Sequence, residues 1–140
     1  MPMSLWQKGC ALVTLIWAAG IAWGSLSPAT DLPQHLPWDK FNHFIAYAGL
    51  ATGLRLTGCR WPVAWGAAVV FSIGIEYLQV WVPGRHGGDW GDILANALGA
   101  GAGLLLLALV QRGKSKRRRR LSGQWPVWTK AVLDNGRKDR

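Results

Sequence analysis

The sequence predicts an all-α membrane protein with four transmembrane helices, both termini in the cytoplasm and a basic C-terminal tail. Three observations predict it. Half of the 140 residues are apolar and only 16% are charged, well under the quarter usual in soluble domains. The apolar residues fall into four blocks separated by short polar loops. The net charge of +9 rests mainly on the tail, which holds 11 of the 16 Lys and Arg residues after Val110. A chain of this length is a single domain, and this pattern excludes a large water-soluble catalytic domain.

Helix one is expected over residues 9–26, 18 positions without a charge, and helix four over 93–110, where Asn96 is the only strongly polar member. Each is long enough to cross the hydrocarbon core at a rise of about 1.5 Å per residue. Helix three, residues 61–82, carries one charge, Glu76. Helix two, residues 38–56, carries Asp39, Lys40, His43 and Arg55, most of them near its ends where long cations reach the headgroups. No block shows the polar stripe that a soluble bundle needs on its wet face. The first block also resembles a signal peptide, with Lys8 ahead of the apolar run and Ala22-Trp23-Gly24 at its end; its length favours an uncleaved helix.

Counting cations orients the chain. With the N-terminus inside, the inner segments hold Lys8, Arg55, Arg60 and the tail, against Lys40 and Arg85 outside, so both termini are assigned to the cytoplasm. Cys10 and Cys59 then lie near the reducing side and are expected as unpaired thiols.

This topology gathers the polar residues at the outer ends of the helices. Asp39, His43 and Tyr47 follow one another at i, i+4 and i+8 on nearly one face, with Lys40 beside them. Glu76 and Gln79 share a face of helix three; Arg85, His86, Asp89 and Asp92 fill the loop after it; Asn96 lies one turn beyond Asp92. Measured from Val82, Glu76 is expected about 9 Å below the helix end, where a carboxylate is costly unless it faces the bundle or a wet cavity. Candidate binding residues are therefore Asp39, Lys40, His43, Tyr47, Glu76, Gln79, Arg85, Asp92 and Asn96. The competing reading is structural, with His43, Tyr47, Gln79 and Asn96 joining helices and Asp39 or Asp92 capping helix starts. For Glu76 the cost of the charge favours binding or proton handling.

Gly99 and Gly103, like Gly49 and Gly53, have G-x-x-x-G spacing, a signal for close helix packing within the chain or with a second copy. Pro83-Gly84 and Gly87-Gly88 break the outer loop. Trp81, Trp90 and most of the other tryptophans read as interfacial anchors.

Five ordered segments carry a family resemblance: Ser25-Leu26-Ser27-Pro28; Asp39-Lys40-Phe41-Asn42-His43-Phe44-Ile45-Ala46-Tyr47; Gly74-Ile75-Glu76-Tyr77-Leu78-Gln79; Pro83-Gly84-Arg85; and Asp92-Ile93-Leu94-Ala95-Asn96 with Gly99. Over residues 20–110 the chain resembles the VanZ-like family. The resemblance implies a small multi-pass protein of the bacterial inner membrane, with an outward polar cluster. Some relatives are associated with resistance to teicoplanin-type glycopeptides and others with envelope polysaccharide systems, so it implies an architecture and not one reaction. The chain departs from the pattern in its long basic tail and in Gly87-Gly88-Asp89-Trp90-Gly91, where relatives commonly place Ser or Thr before the acid.

Lys114 to Arg120 reads KSKRRRR, a polybasic run suited to topology control and to anionic lipid, at about 1 kcal/mol per cation near the surface. Residues 111–140 are expected to be disordered or lipid-contacting, with Trp125 and Trp128 in the headgroups. The expected partners are the bilayer, anionic lipid at the tail, an envelope lipid or glycolipid, and a second copy of the chain; nucleic acid is not expected, because no binding fold accompanies the charge. No cofactor or metal motif is assigned. Three functions compete: binding of a lipid-linked or phosphorylated envelope component, with Lys40 and Arg85 on the anionic head; catalysis, with His43 or Glu76 as general base, or with metal on Asp39, His43 and Glu76; and a non-catalytic assembly or proton-handling unit.

Overall fold

The computed structural model describes residues 2–28, 39–85 and 87–122. They form four α-helices: α1 Leu5–Leu26, α2 Asp39–Leu56, α3 Trp61–Gln79 and α4 Trp90–Ser122. The chain divides into two compact units, Met1–Leu107 and Ala108–Arg140. The contacts below lie within the first.

α1 begins four residues before the expected start because Ser4 and Gln7 form a reciprocal capping box. The Ser4 hydroxyl accepts the Gln7 N–H, and the Gln7 side chain accepts the Ser4 N–H, which satisfies two otherwise orphaned donors. α3 opens with Pro62 in its first turn, where the missing N–H costs nothing. It ends at Gln79 and not Val82, because Trp81 and Val82 donate to the carbonyls of Leu78 and Gln79, three residues back, in a tightened last turn. Gly84 then takes a φ of +74°, a conformation open chiefly to glycine. α4 starts at Trp90, capped by Asp89, whose carboxylate accepts the Gly91 N–H at 2.6 Å.

α4 also outruns the expected stop at Val110. Residues 111–122 continue the helix, since Lys and Arg are good helix formers and cations are favoured toward a helix C-terminus. Trp125, Trp128 and the rest of 123–140 lie outside the described residues.

Three of the four helices, α1, α3 and α4, are long and apolar enough to cross a membrane. Their outer faces expose Leu12, Ile16, Val70, Leu105 and Leu106, as lipid-facing helices do. α2 falls short of that composition, and its position explains why: it packs against each of the other three. Gly49 and Gly53 lie against Trp17 and Thr14 of α1, and Gly99 and Gly103 of α4 lie against the backbone of Phe44 and Ala48. Tyr47 and Phe71 of α3 pack with ring centroids 6.2 Å apart. Both glycine stripes thus serve contacts inside one chain. The core they enclose contains Tyr47, Leu50, Ala51, Ala64, Ala68, Ala100 and Leu104.

Two tryptophans depart from the anchoring role. The indole N–H of Trp17 donates to the Ala46 carbonyl at 2.9 Å and that of Trp65 to Ala97 at 3.1 Å, joining α1 to α2 and α3 to α4. Trp81 and Trp90 are exposed. Cys10 and Cys59 are free thiols.

Candidate functional site

The packing of α2 against α3 and α4 brings an imidazole, two acids and an amide together. Glu76 and Asn96 are each 1% exposed, and Asp92 is buried beside them. The Asn96 amide donates to the Ser72 hydroxyl at 2.7 Å, and its carbonyl oxygen lies 3.2 Å from His43 Nδ1. The other ring nitrogen, Nε2, lies 3.7 Å from Asp92 Oδ2. Lys40 closes the rim, 3.0 Å from Asp92 Oδ1 and 3.3 Å from Asp89.

Glu76 is shallower than expected, one turn from the end of α3, because that helix stops at Gln79. The following loop folds back to cover it. The backbone N–H groups of Gly88 and Asp89 donate to Glu76 Oε2 at 3.1 and 3.2 Å. The close approach needs a glycine at 87, where a Cβ would lie 2.5 Å from the Val80 nitrogen and 2.6 Å from the Glu76 carbonyl oxygen. Glu76 Oε1 is buried with no hydrogen-bond partner, and so is the Tyr47 hydroxyl. In the loop, the Gly91 N–H and then the Lys40 ammonium hold the Asp89 carboxyl below the usual carboxylate range.

On the other side of His43 is a cavity of about 290 Å³ between α1, α2, the end of α3 and the loop. Its polar wall is Asn42, His43, Tyr47, Gln79 and Arg85; its apolar wall includes Gly20, Ile21 and Ala46. Arg85 donates to the carbonyls of Ser27 and Gly24 at 3.1 and 2.7 Å, and Gln79 to Ser25 at 2.9 Å. These carbonyls end α1 and have no acceptor role left within it. Gln79 and Arg85 therefore fasten α1 to the bundle while lining the cavity.

The nine candidates thus divide. Glu76, Asp92 and Asn96 form a buried cluster with the half-buried His43, and Lys40 stands at its rim; Tyr47, Gln79 and Arg85 line the cavity; His43 belongs to both. Asp39 begins α2, and its side chain, like His86, lies outside what the structure describes. Helix capping falls to Asp89 and not to Asp92. Two participants, Ser72 and Asp89, were missed as site residues. Both left a signal: Ser72 stands at i−4 from Glu76 on the same face, and Asp89 has the cap spacing before a helix.

No curated protein and no solved structure matches the chain. The VanZ/LLP1 family matches residues 5–111, which takes in α1 to α3, the loop that covers Glu76 and α4 as far as Gln111. The chain is a VanZ-like membrane protein, a member of the VanZ/LLP1 family.

Proposed function

We propose that the protein crosses the bacterial inner membrane four times, with α2 as the fourth span, and presents its cavity to the outside to bind a lipid-linked, phosphorylated envelope component. The cavity is the observation that carries this reading. It joins an apolar helical wall to a polar end that holds Arg85, whose contacts among the described residues are both backbone carbonyls. Its positive charge is not neutralised by a carboxylate there, and a guanidinium so placed suits a phosphate. A lipid tail would lie along the helices and the phosphate against Arg85, Asn42 and Gln79. Such a ligand connects the family's envelope associations, glycopeptide resistance among them, to a physical site. The exposed Lys114, Lys116, Arg117 and Arg118 of α4 are proposed to contact anionic lipid on the cytoplasmic side.

General-base catalysis asks more of the geometry. Both ring nitrogens of His43 already face a side chain, Asn96 and Asp92, and Glu76 sits beneath the loop. The test is binding of a polyprenyl phosphate to the detergent-purified chain, compared with the unphosphorylated polyprenol. The phosphate should bind at least tenfold more tightly, and Arg85→Gln should erase that preference. Equal affinity for phosphate and alcohol in the wild type sinks the proposal.

A further inference from the structure

We infer that His43, Glu76 and Asp92 form a binding site for a divalent transition-metal ion of the zinc class. Each offers one ligand atom, and the three atoms lie within 4.8 Å of one another. Tetrahedral donors about 2.1 Å from zinc are about 3.4 Å apart, so each side chain has less than about 1 Å to move toward a common centre. One imidazole with two carboxylates is a donor set that zinc, manganese and iron accept.

The surroundings orient each donor. The Asn96 amide donates to Ser72, so its carbonyl oxygen accepts from His43 Nδ1. The other ring nitrogen, Nε2, faces Asp92 Oδ2. Metal-ligating histidines are characteristically fixed in this way through the other nitrogen. Asp92 Oδ1 is held by Lys40, leaving Oδ2 toward the imidazole. Glu76 Oε2 is held by two backbone N–H groups, leaving Oε1. Each carboxylate thus has one oxygen anchored and one available.

One feature is poorly explained without an ion, and the donor spacing agrees with one. Glu76 Oε1 is buried and has no hydrogen bond, although a buried carboxylate oxygen is expensive to leave unmatched. His43 Nε2 and Asp92 Oδ2 stand 3.7 Å apart, near the spacing of two donors on one metal. A divalent ion would complete Oε1 and set positive charge beside the two buried carboxylates. Three protein donors leave a coordination position open, as in catalytic and not structural zinc sites, and His43 is shared with the cavity wall. The inference does not depend on which ligand occupies that cavity.

The test uses the full chain in detergent, stripped with a chelator and reloaded with Zn²⁺ alone, with Co²⁺ as a spectroscopic stand-in. One equivalent of Zn²⁺ per chain and visible Co²⁺ ligand-field bands are expected. Asp92→Asn and Glu76→Gln, each checked for native helical content and monodispersity, should bind at least about tenfold more weakly. Asn96→Ala keeps all three donors and should still lose affinity through the released imidazole. A Cys10→Ser, Cys59→Ser double variant should bind as the wild type does. Failure of folded wild-type protein to bind stoichiometric Zn²⁺, undiminished binding by the folded Asp92→Asn and Glu76→Gln variants, or loss of binding with the cysteines, overturns the site.

Discussion

The approach of α4 to α2 through Gly99 yields a sharp prediction, because alanine there has nowhere to put one methyl group. A Cβ built at Gly99 collides with the Phe44 carbonyl oxygen, and it lies 2.8 Å from the Phe44 Cα, where ordinary contact begins at 3.4 Å. The obstacle is backbone and has no rotamer to change, so the two helices must part by at least about 0.6 Å. Overpacking of this kind costs about 1–3 kcal/mol. Gly74, in α3, is the control: nothing lies within 4 Å of its built Cβ, and alanine gains up to about 1 kcal/mol of helix propensity. Both positions are helical, so that gain is common to the two variants, and Gly99→Ala should be less stable than Gly74→Ala by about 1–3 kcal/mol. Reversible unfolding of both variants by SDS in mixed micelles, followed by circular dichroism, measures the difference. If the two differ by less than about 0.5 kcal/mol, the range of an uninvolved surface site, the α2–α4 contact does not exist as described.

Two further outcomes follow from the same structure. Trp65→Phe removes the indole N–H bond to Ala97 and should lower stability by about 0.6–1.7 kcal/mol, whereas Trp81→Phe, at an exposed position, should be neutral in the same unfolding assay. The Asp89 carboxyl, held low by Gly91 and Lys40, stabilises the start of α4 above the ordinary carboxylate pKa and loses that contribution as pH falls through its depressed value; hydrogen exchange at the Gly91 amide should accelerate over that acid window, and Asp89→Asn should abolish the acceleration.

What the sequence made legible is what a single helix reports about itself. Charge-free runs marked α1 and the apolar part of α4, Pro83-Gly84 marked the loop, and the alternation of spans gathered His43, Glu76 and Asn96 toward the same ends of their helices. Boundaries were harder, because they depend on local hydrogen bonds: the Ser4–Gln7 box lengthens α1, and the turn at Trp81 and Val82 shortens α3. That shortening changes the depth of Glu76, which is covered by loop backbone and does not lie deep in a span. Pairings were beyond reach altogether. An indole N–H such as that of Trp65 looks the same in the sequence whether it meets headgroups or the Ala97 carbonyl. The modest apolarity of α2 made sense only once it was seen to contact three other helices.

The glycine stripe and the polar cluster are one construction. Asn96 precedes Gly99 by three residues and so shares its face of α4, while His43 immediately precedes Phe44, the residue on which Gly99 rests. The close contact that glycine permits is therefore what brings the imidazole within 3.2 Å of the amide oxygen. A parting of about 0.6 Å along that bond would carry the pair to about 3.8 Å, past hydrogen-bond range, and would release the imidazole from the amide oxygen that fixes its orientation. Packing at Gly99 and chemistry at His43 must then fail together: a methyl group placed in a helix–backbone contact, one turn from Asn96, should disturb whatever the cluster binds.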